Sequence, residues 1–233
     1  MESRIKVWDL PTRLFHWLLV LFVLASAVTG LIGGNLIDWH EKSGFVIVGL
    51  LAFRIVWGLI GSTYARFWQF FPTPGAIIAY LRGQWRGVGH NPLGACSVFA
   101  LLAIVAALVV TGLFANDDIS FQGPLAGLVD KALSNNLTGW HKLCVKLLYL
   151  FVPLHLASIA FYALFKKNNL LWPMFTGWKP RAPGENFPSA QGGGILAFVL
   201  AVLLAGAAVF AATGAWITPP PPPPAQTSPA YDW

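Results

Sequence analysis

Charge is what this chain has least of. Asp, Glu, Lys and Arg make up only 10% of its 233 residues, against roughly 25% in soluble domains. Hydrophobic residues reach 56%, with a mean hydropathy of +0.64. A water-soluble globular protein is excluded on that balance. Cysteine is also scarce, at two residues. Cys96 and Cys144 are expected near opposite membrane faces, too far apart for a disulfide, whose Cα atoms must lie within about 7 Å. No C-x-x-C-H occurs, so covalent haem attachment is not expected. The apolar stretches hold no deep Cys, Asp or Glu, which leaves no set of three or four ligands for zinc. Short alternating strands are missing too, which argues against a β-barrel.

Long apolar runs are present. Segments 12–33, 41–61, 93–114, 141–165 and 195–217 each supply the ~20 residues that a helical span needs. Trp is abundant, and many lie at span ends, where an apolar ring with a polar edge suits the interface. The first segment resembles a secretory signal with Ala25-Ser26-Ala27 as a cleavage motif, but it is read as a retained span. The net charge of +6 points to orientation rather than to nucleic acid, because the charges cluster in short loops. Arg4, Lys6, Arg13, Arg66, Arg82, Arg86, Lys166, Lys167, Lys179 and Arg181 fall on one side. The other side mixes Lys42, Lys131 and Lys142 with Asp38, Glu41, Asp117, Asp118 and Asp130. The positive-inside rule then puts the N-terminus in the cytoplasm and the C-terminus outside.

Within loop 62–92, PTPGAIIAYLRG reads as an interfacial helix, and another short helix is expected near Pro124–Leu133. The tail opens with Pro219–Pro224, which predicts a polyproline II spacer of about 19 Å, read as a disordered end in preference to a tether for a periplasmic partner.

Histidine is costly inside spans and is usually functional there. His16 lies one turn into the first span from the cytoplasmic side. His40 opens the second span and His141 the fourth, both from outside. His155 follows His141 by fourteen residues. At about 100° per residue, fourteen residues bring both rings to one side, about 21 Å apart along the axis. Depth pairs His16 with His155 and His40 with His141, because ligands roughly 20 Å apart cannot share an iron. Two bis-histidine haems follow, one toward each face. Arg54 repeats the fourteen-residue step from His40, which sets it near the cytoplasmic haem, where its fork suits a haem propionate. His90 has no depth-matched partner and is read as a helix cap or a propionate contact. Gly30, Gly33, Gly34 and Gly112 would allow close approach of helices or a macrocycle.

These residues sit in motifs of a known family. VWDLPTRLFHWLL, WHEKSGFVIVGLLAFRIVWGLIGSTYARF, GHNPLGA, TGLFANDD and the WHK…PLHLA pair resemble the bacterial cytochrome b561 and nickel-hydrogenase cytochrome b family over about residues 5–180. The resemblance implies an all-α integral membrane four-helix bundle holding two haem b groups on His16, His40, His141 and His155. It also implies electron transfer in the cell inner membrane between quinone and a periplasmic partner, either a hydrogenase or a multihaem cytochrome c. Family analogy places one candidate quinone site at the first turn, Arg13–Trp17. The expected organisation is a dihaem unit over 1–180, a Gly- and Pro-rich linker over 181–194, an extra span over 195–217 and a proline-rich tail over 218–233. The family pattern does not account for the fifth span. A superoxide oxidase using a basic outer pocket of Lys42, Lys131, Lys142 and Lys146 is the second reading. A non-redox membrane anchor or metal transporter is the third.

Overall fold

A computed structural model describes residues 4–119, 121–181 and 186–217. The proline tail lies outside the described residues. Among the described residues five helices are long and apolar enough to cross a membrane: α1 (Leu10–Ile32), α2 (Ile37–Ile60), α4 (Pro92–Leu113), α5 (Lys131–Leu164) and α7 (Gly194–Ala212). Two short helices, α3 (Pro74–Leu81) and α6 (Leu171–Thr176), lie outside the spans.

Local chemistry sets the helix starts. Asp9 caps α1 by accepting from the Thr12 amide at 2.6 Å, Asn91 caps α4 through the Gly94 amide at 2.8 Å, and Asp130 caps α5 through the Leu133 amide at 2.8 Å. Thr73 does the same for α3. Proline follows three of these caps, at Pro11, Pro74 and Pro92, where its missing N–H is not needed. The interfacial helix read from PTPGAIIAYLRG is α3, and the hydroxyls of Tyr80 on α3 and Tyr162 on α5 are hydrogen-bonded.

Several boundaries differ from the sequence reading: α2 starts at Ile37 rather than 41, and α7 ends at Ala212 rather than 217. The helix expected near Pro124–Leu133 is a 3-10 turn at Ala126–Leu128 followed by the start of α5. The fourth span therefore begins ten residues earlier than its apolar stretch. KALSNNLTGW is polar, so hydropathy misses it, but the Asp130 cap allows it to wind as helix. At 34 residues, α5 is about 51 Å long and extends past a bilayer core of about 30 Å. Gly33 and Gly34 have φ of +65° and +53° and no neighbour near their missing Cβ. They make the α1–α2 turn rather than admit a neighbour, because only glycine takes such angles without strain.

In the bundle, α2 packs on α1, on α4 and, most extensively, on α7, while α5 packs on α4. The core is a layer of Ile47 and Leu51 from α2, Ile104 and Val105 from α4 and Leu148 from α5, with Leu19, Phe22 and Val23 of α1 against it. At the N-terminal end, β1 (Arg4–Lys6) pairs antiparallel with β2 (Trp178–Pro180). Among the described residues this ribbon is the one two-stranded sheet. It closes over a buried cluster of Ile5, Val7, Trp8 and Val88.

Candidate functional site

At the end of the bundle away from the N-terminus, His40 in the first turn of α2 faces His141 of α5. Their ring centroids are 6.1 Å apart and their planes cross at 80°. Nδ1 of His40 is 2.8 Å from the Ser26 carbonyl, and Nδ1 of His141 is 2.9 Å from the Leu108 carbonyl. A carbonyl only accepts, so each Nδ1 carries the proton and donates, which leaves each Nε2 lone pair available to a metal. The Ser26 and Thr111 hydroxyls lie close by, at 3.2 and 3.3 Å from the same nitrogens. Glycine makes the room: a Cβ at Gly30 would come within 2.7 Å of the His40 ring, and one at Gly112 within 3.1 Å of the His141 ring.

This geometry can be tested against one shared metal. A metal–imidazole bond is about 2.0 Å, so a bound ring has its centroid about 3 Å from the metal. Two rings on opposite sides then stand about 6 Å apart, as His40 and His141 do. Among the described residues no group of three or more His, Cys, Asp or Glu could hold a metal ion. The two free Nε2 atoms of His40 and His141 form a donor pair that would suit haem iron.

At the N-terminal end, His16 of α1 and His155 of α5 lie within electrostatic range of each other. The Ser97 hydroxyl is 3.4 Å from Nδ1 of His155. Nδ1 of His16 is buried without a hydrogen-bond partner, and its ring meets Trp17 edge-on at 5.0 Å. Ligand spacing is thus seen at one end, and proximity at the other. The apolar core layer lies between the two: Leu148 is seven residues from both His141 and His155, and Ile47 is seven from both His40 and Arg54.

Arg54 is 3% exposed. Its Nη1 donates to the Ala65 carbonyl at 3.0 Å, and its guanidinium lies 4.5 Å from the Phe67 ring centroid and 5.9 Å from that of Phe15. His90 joins this end, packed between Trp8 at 4.6 Å and Phe70 at 4.5 Å. It does not cap α4; Asn91 does. Its Nδ1 is buried without a partner. Burial, together with the positive charge of Arg54 and the neighbouring His16 and His155, pushes the His90 imidazole down to about 3.

Around the first turn of α1, Arg13 donates to the Phe175 carbonyl and Trp17 Nε1 to the Met174 carbonyl at 3.2 Å, with Trp17 stacked on Phe175 at 4.4 Å. Helix α6 therefore covers this turn. The sequence reading took Ser26 only as part of a cleavage motif and did not single out Ser97 or Thr111. Their signal was a small polar side chain inside an apolar span.

The sequence model of the prokaryotic cytochrome b561 family matches residues 7–177. The chain is similar to the probable Ni/Fe-hydrogenase B-type cytochrome subunit of Azotobacter chroococcum, 27% identical over 217 residues, covering 76% of this chain and 89% of the relative. The corresponding probable hydrogenase 1 subunit of Escherichia coli K12 is 22% identical over 219 residues, covering 77% and 92%. That of Cupriavidus necator is 24% identical over 212 residues, covering 74% and 86%. No solved structure matches. The match spans most of the chain, and histidines of different helices face each other within it: the chain belongs to the prokaryotic cytochrome b561 family, as an all-α membrane b-type cytochrome that carries haem b and serves electron transfer.

Proposed function

We propose that the chain holds two haem b groups, one between His16 and His155 and one between His40 and His141. In this reading it relays electrons across the cytoplasmic membrane between the quinone pool and a periplasmic redox partner. The 6.1 Å separation of the His40 and His141 rings, with both Nδ1 atoms on carbonyls, carries the reading. The fourteen-residue step then puts His155 one leaflet deeper on the same side of α5. Haem b supplies a one-electron couple. The protein's own residues hold the rings, exclude water from the interior through the Ile47–Leu148 layer, and place the Arg54 charge at one end only. A positive charge favours the reduced state, so the His16–His155 site is the one whose potential Arg54 raises. The basic loops at the N-terminal end put that end in the cytoplasm and the C-terminus in the periplasm.

The named relatives are probable Ni/Fe-hydrogenase subunits, which supports a hydrogenase as the partner class; a multihaem cytochrome c is the alternative. The superoxide reading needs an open basic pocket at the far end. There Lys131 pairs with Asp118 at 3.0 Å, and the Lys42 ammonium sits 4.9 Å from the Trp39 ring, which favours the relay. The test is the protein in liposomes containing a reduced quinone. The relay predicts that quinol reduces the haem. Haem that dithionite reduces and quinol does not would overturn it, and so would a purified protein without a reduced haem b band.

A further inference from the structure

The family match ends at residue 177, so α7 is an addition that the electron relay does not explain. A helix that merely anchored the chain would need only an apolar surface. Instead α7 makes fitted contacts on α2. Ala201 is 0% exposed and shares one buried cluster with Trp57 and Ala65. The Phe198 ring packs on Phe53 and Trp57, at 5.9 and 6.3 Å. The lead into α7 is bonded to the turn after α2: the Thr63 amide donates to the Gln191 carbonyl at 2.8 Å, and Ser62 and Gly192 form an antiparallel bridge. Gly193, at φ +83°, passes against the Trp57 ring, where a Cβ would come within 2.7 Å.

Both residues held by α7 lead to the same site. Trp57 Nε1 donates to Oδ2 of Asp9 at 3.0 Å, while Oδ1 of that carboxylate accepts from the Thr12 amide and caps α1. His16 lies one turn beyond Thr12. Ala65 supplies the carbonyl that takes the Arg54 guanidinium at 3.0 Å. We propose that α7 is a positioning element for the His16–His155 site, acting through Trp57 on the start of α1 and through Ala65 on Arg54. This rests on the dihaem reading and adds a role for the fifth span within it.

The experiment is a redox titration of the full chain with low-spin electron paramagnetic resonance, on the wild type, Ala201→Leu, Ala201→Gly and Trp57→Phe. Leucine has no space at position 201. Phenylalanine at 57 keeps a packed ring and removes the donor to Asp9. Both changes should move the midpoint and the resonance of the His16–His155 haem while the other component stays put. The expected size is roughly tenfold in the reduction equilibrium, about 59 mV for one electron. Ala201→Gly should move neither. If both components shift together, or neither shifts in Trp57→Phe with two haems still bound, the proposal is overturned. If Ala201→Leu yields no folded protein, Trp57→Phe decides alone. A wild type with fewer than two haems refutes the dihaem reading, independently of the variants.

Discussion

Gly30→Ala is a one-methyl test of the far-end histidine pair. The added Cβ would lie 2.7 Å from Nδ1 and 2.9 Å from Cε1 of His40, and ordinary contact begins at 3.4 Å. The ring must therefore retreat by about 0.7 Å. Metal–ligand distances tolerate about 0.2 Å, and Nδ1 is already held by the Ser26 carbonyl at 2.8 Å, so the ring cannot move without losing that bond, worth about 1 kcal/mol. Inside α1, alanine is the better helix former by about 1 kcal/mol, so helix stability predicts the opposite effect. Gly112→Ala gives a graded control, because its Cβ would meet the His141 ring at 3.1 Å and need about 0.3 Å of adjustment. The assay is haem content by pyridine haemochrome with low-spin resonance spectra. Gly30→Ala should lose the far-end low-spin signal and keep the other, while Gly112→Ala keeps both with a shifted far-end component. Two unaltered low-spin haems in Gly30→Ala would refute the placement.

Other changes test the N-terminal end. Arg54→Gln should lower the midpoint of the haem at that end and leave the other unchanged, as redox titration would show. A unit charge about 10 Å from a redox centre contributes about 1.7 kcal/mol at an effective dielectric of about 20, so the shift should be several tens of millivolts. His90 gives a pH dependence. Its folded value is pushed down to about 3, whereas an unfolded histidine titrates near 6.5. Below about pH 6.5 the unfolded chain gains a proton that the folded chain refuses, so stability is lost as pH falls toward 3, by at most about 1.4 kcal/mol per pH unit. His90→Gln should flatten thermal stability between pH 7 and 5 relative to the wild type; an identical decline in both would contradict this.

How far the sequence could be read depended on the kind of force involved. Spans one, two and three were legible because the bilayer imposes a length and the loops carry sorted charge. The first ten residues of α5 were not, since KALSNNLTGW is polar and rich in weak helix formers, and only the Asp130 cap marks where the helix starts. Three-residue strands such as Arg4–Lys6 are too short to show a period. The closeness of His40 and His141 was legible from depth along two helices. Their proton acceptors were not, because the Ser26 and Leu108 carbonyls belong to neighbouring helices and backbone carbonyls leave no mark on sequence. The glycines were visible as small residues but not by role: Gly30 and Gly112 make room for imidazole, whereas Gly33 and Gly34 make a turn. Arg54 was conspicuous by its cost in a span. Its contacts with Ala65 and Phe67 depend on how the loop after α2 folds back.

The most direct test is a paired loss experiment: haem per chain and redox components in the wild type, His40→Ala, His141→Ala, His16→Ala and His155→Ala. Two haem b groups are expected in the wild type, with His40→Ala and His141→Ala removing the same component and His16→Ala and His155→Ala removing the other. A single haem in the wild type, or the loss of different components in His40→Ala and His141→Ala, would contradict it.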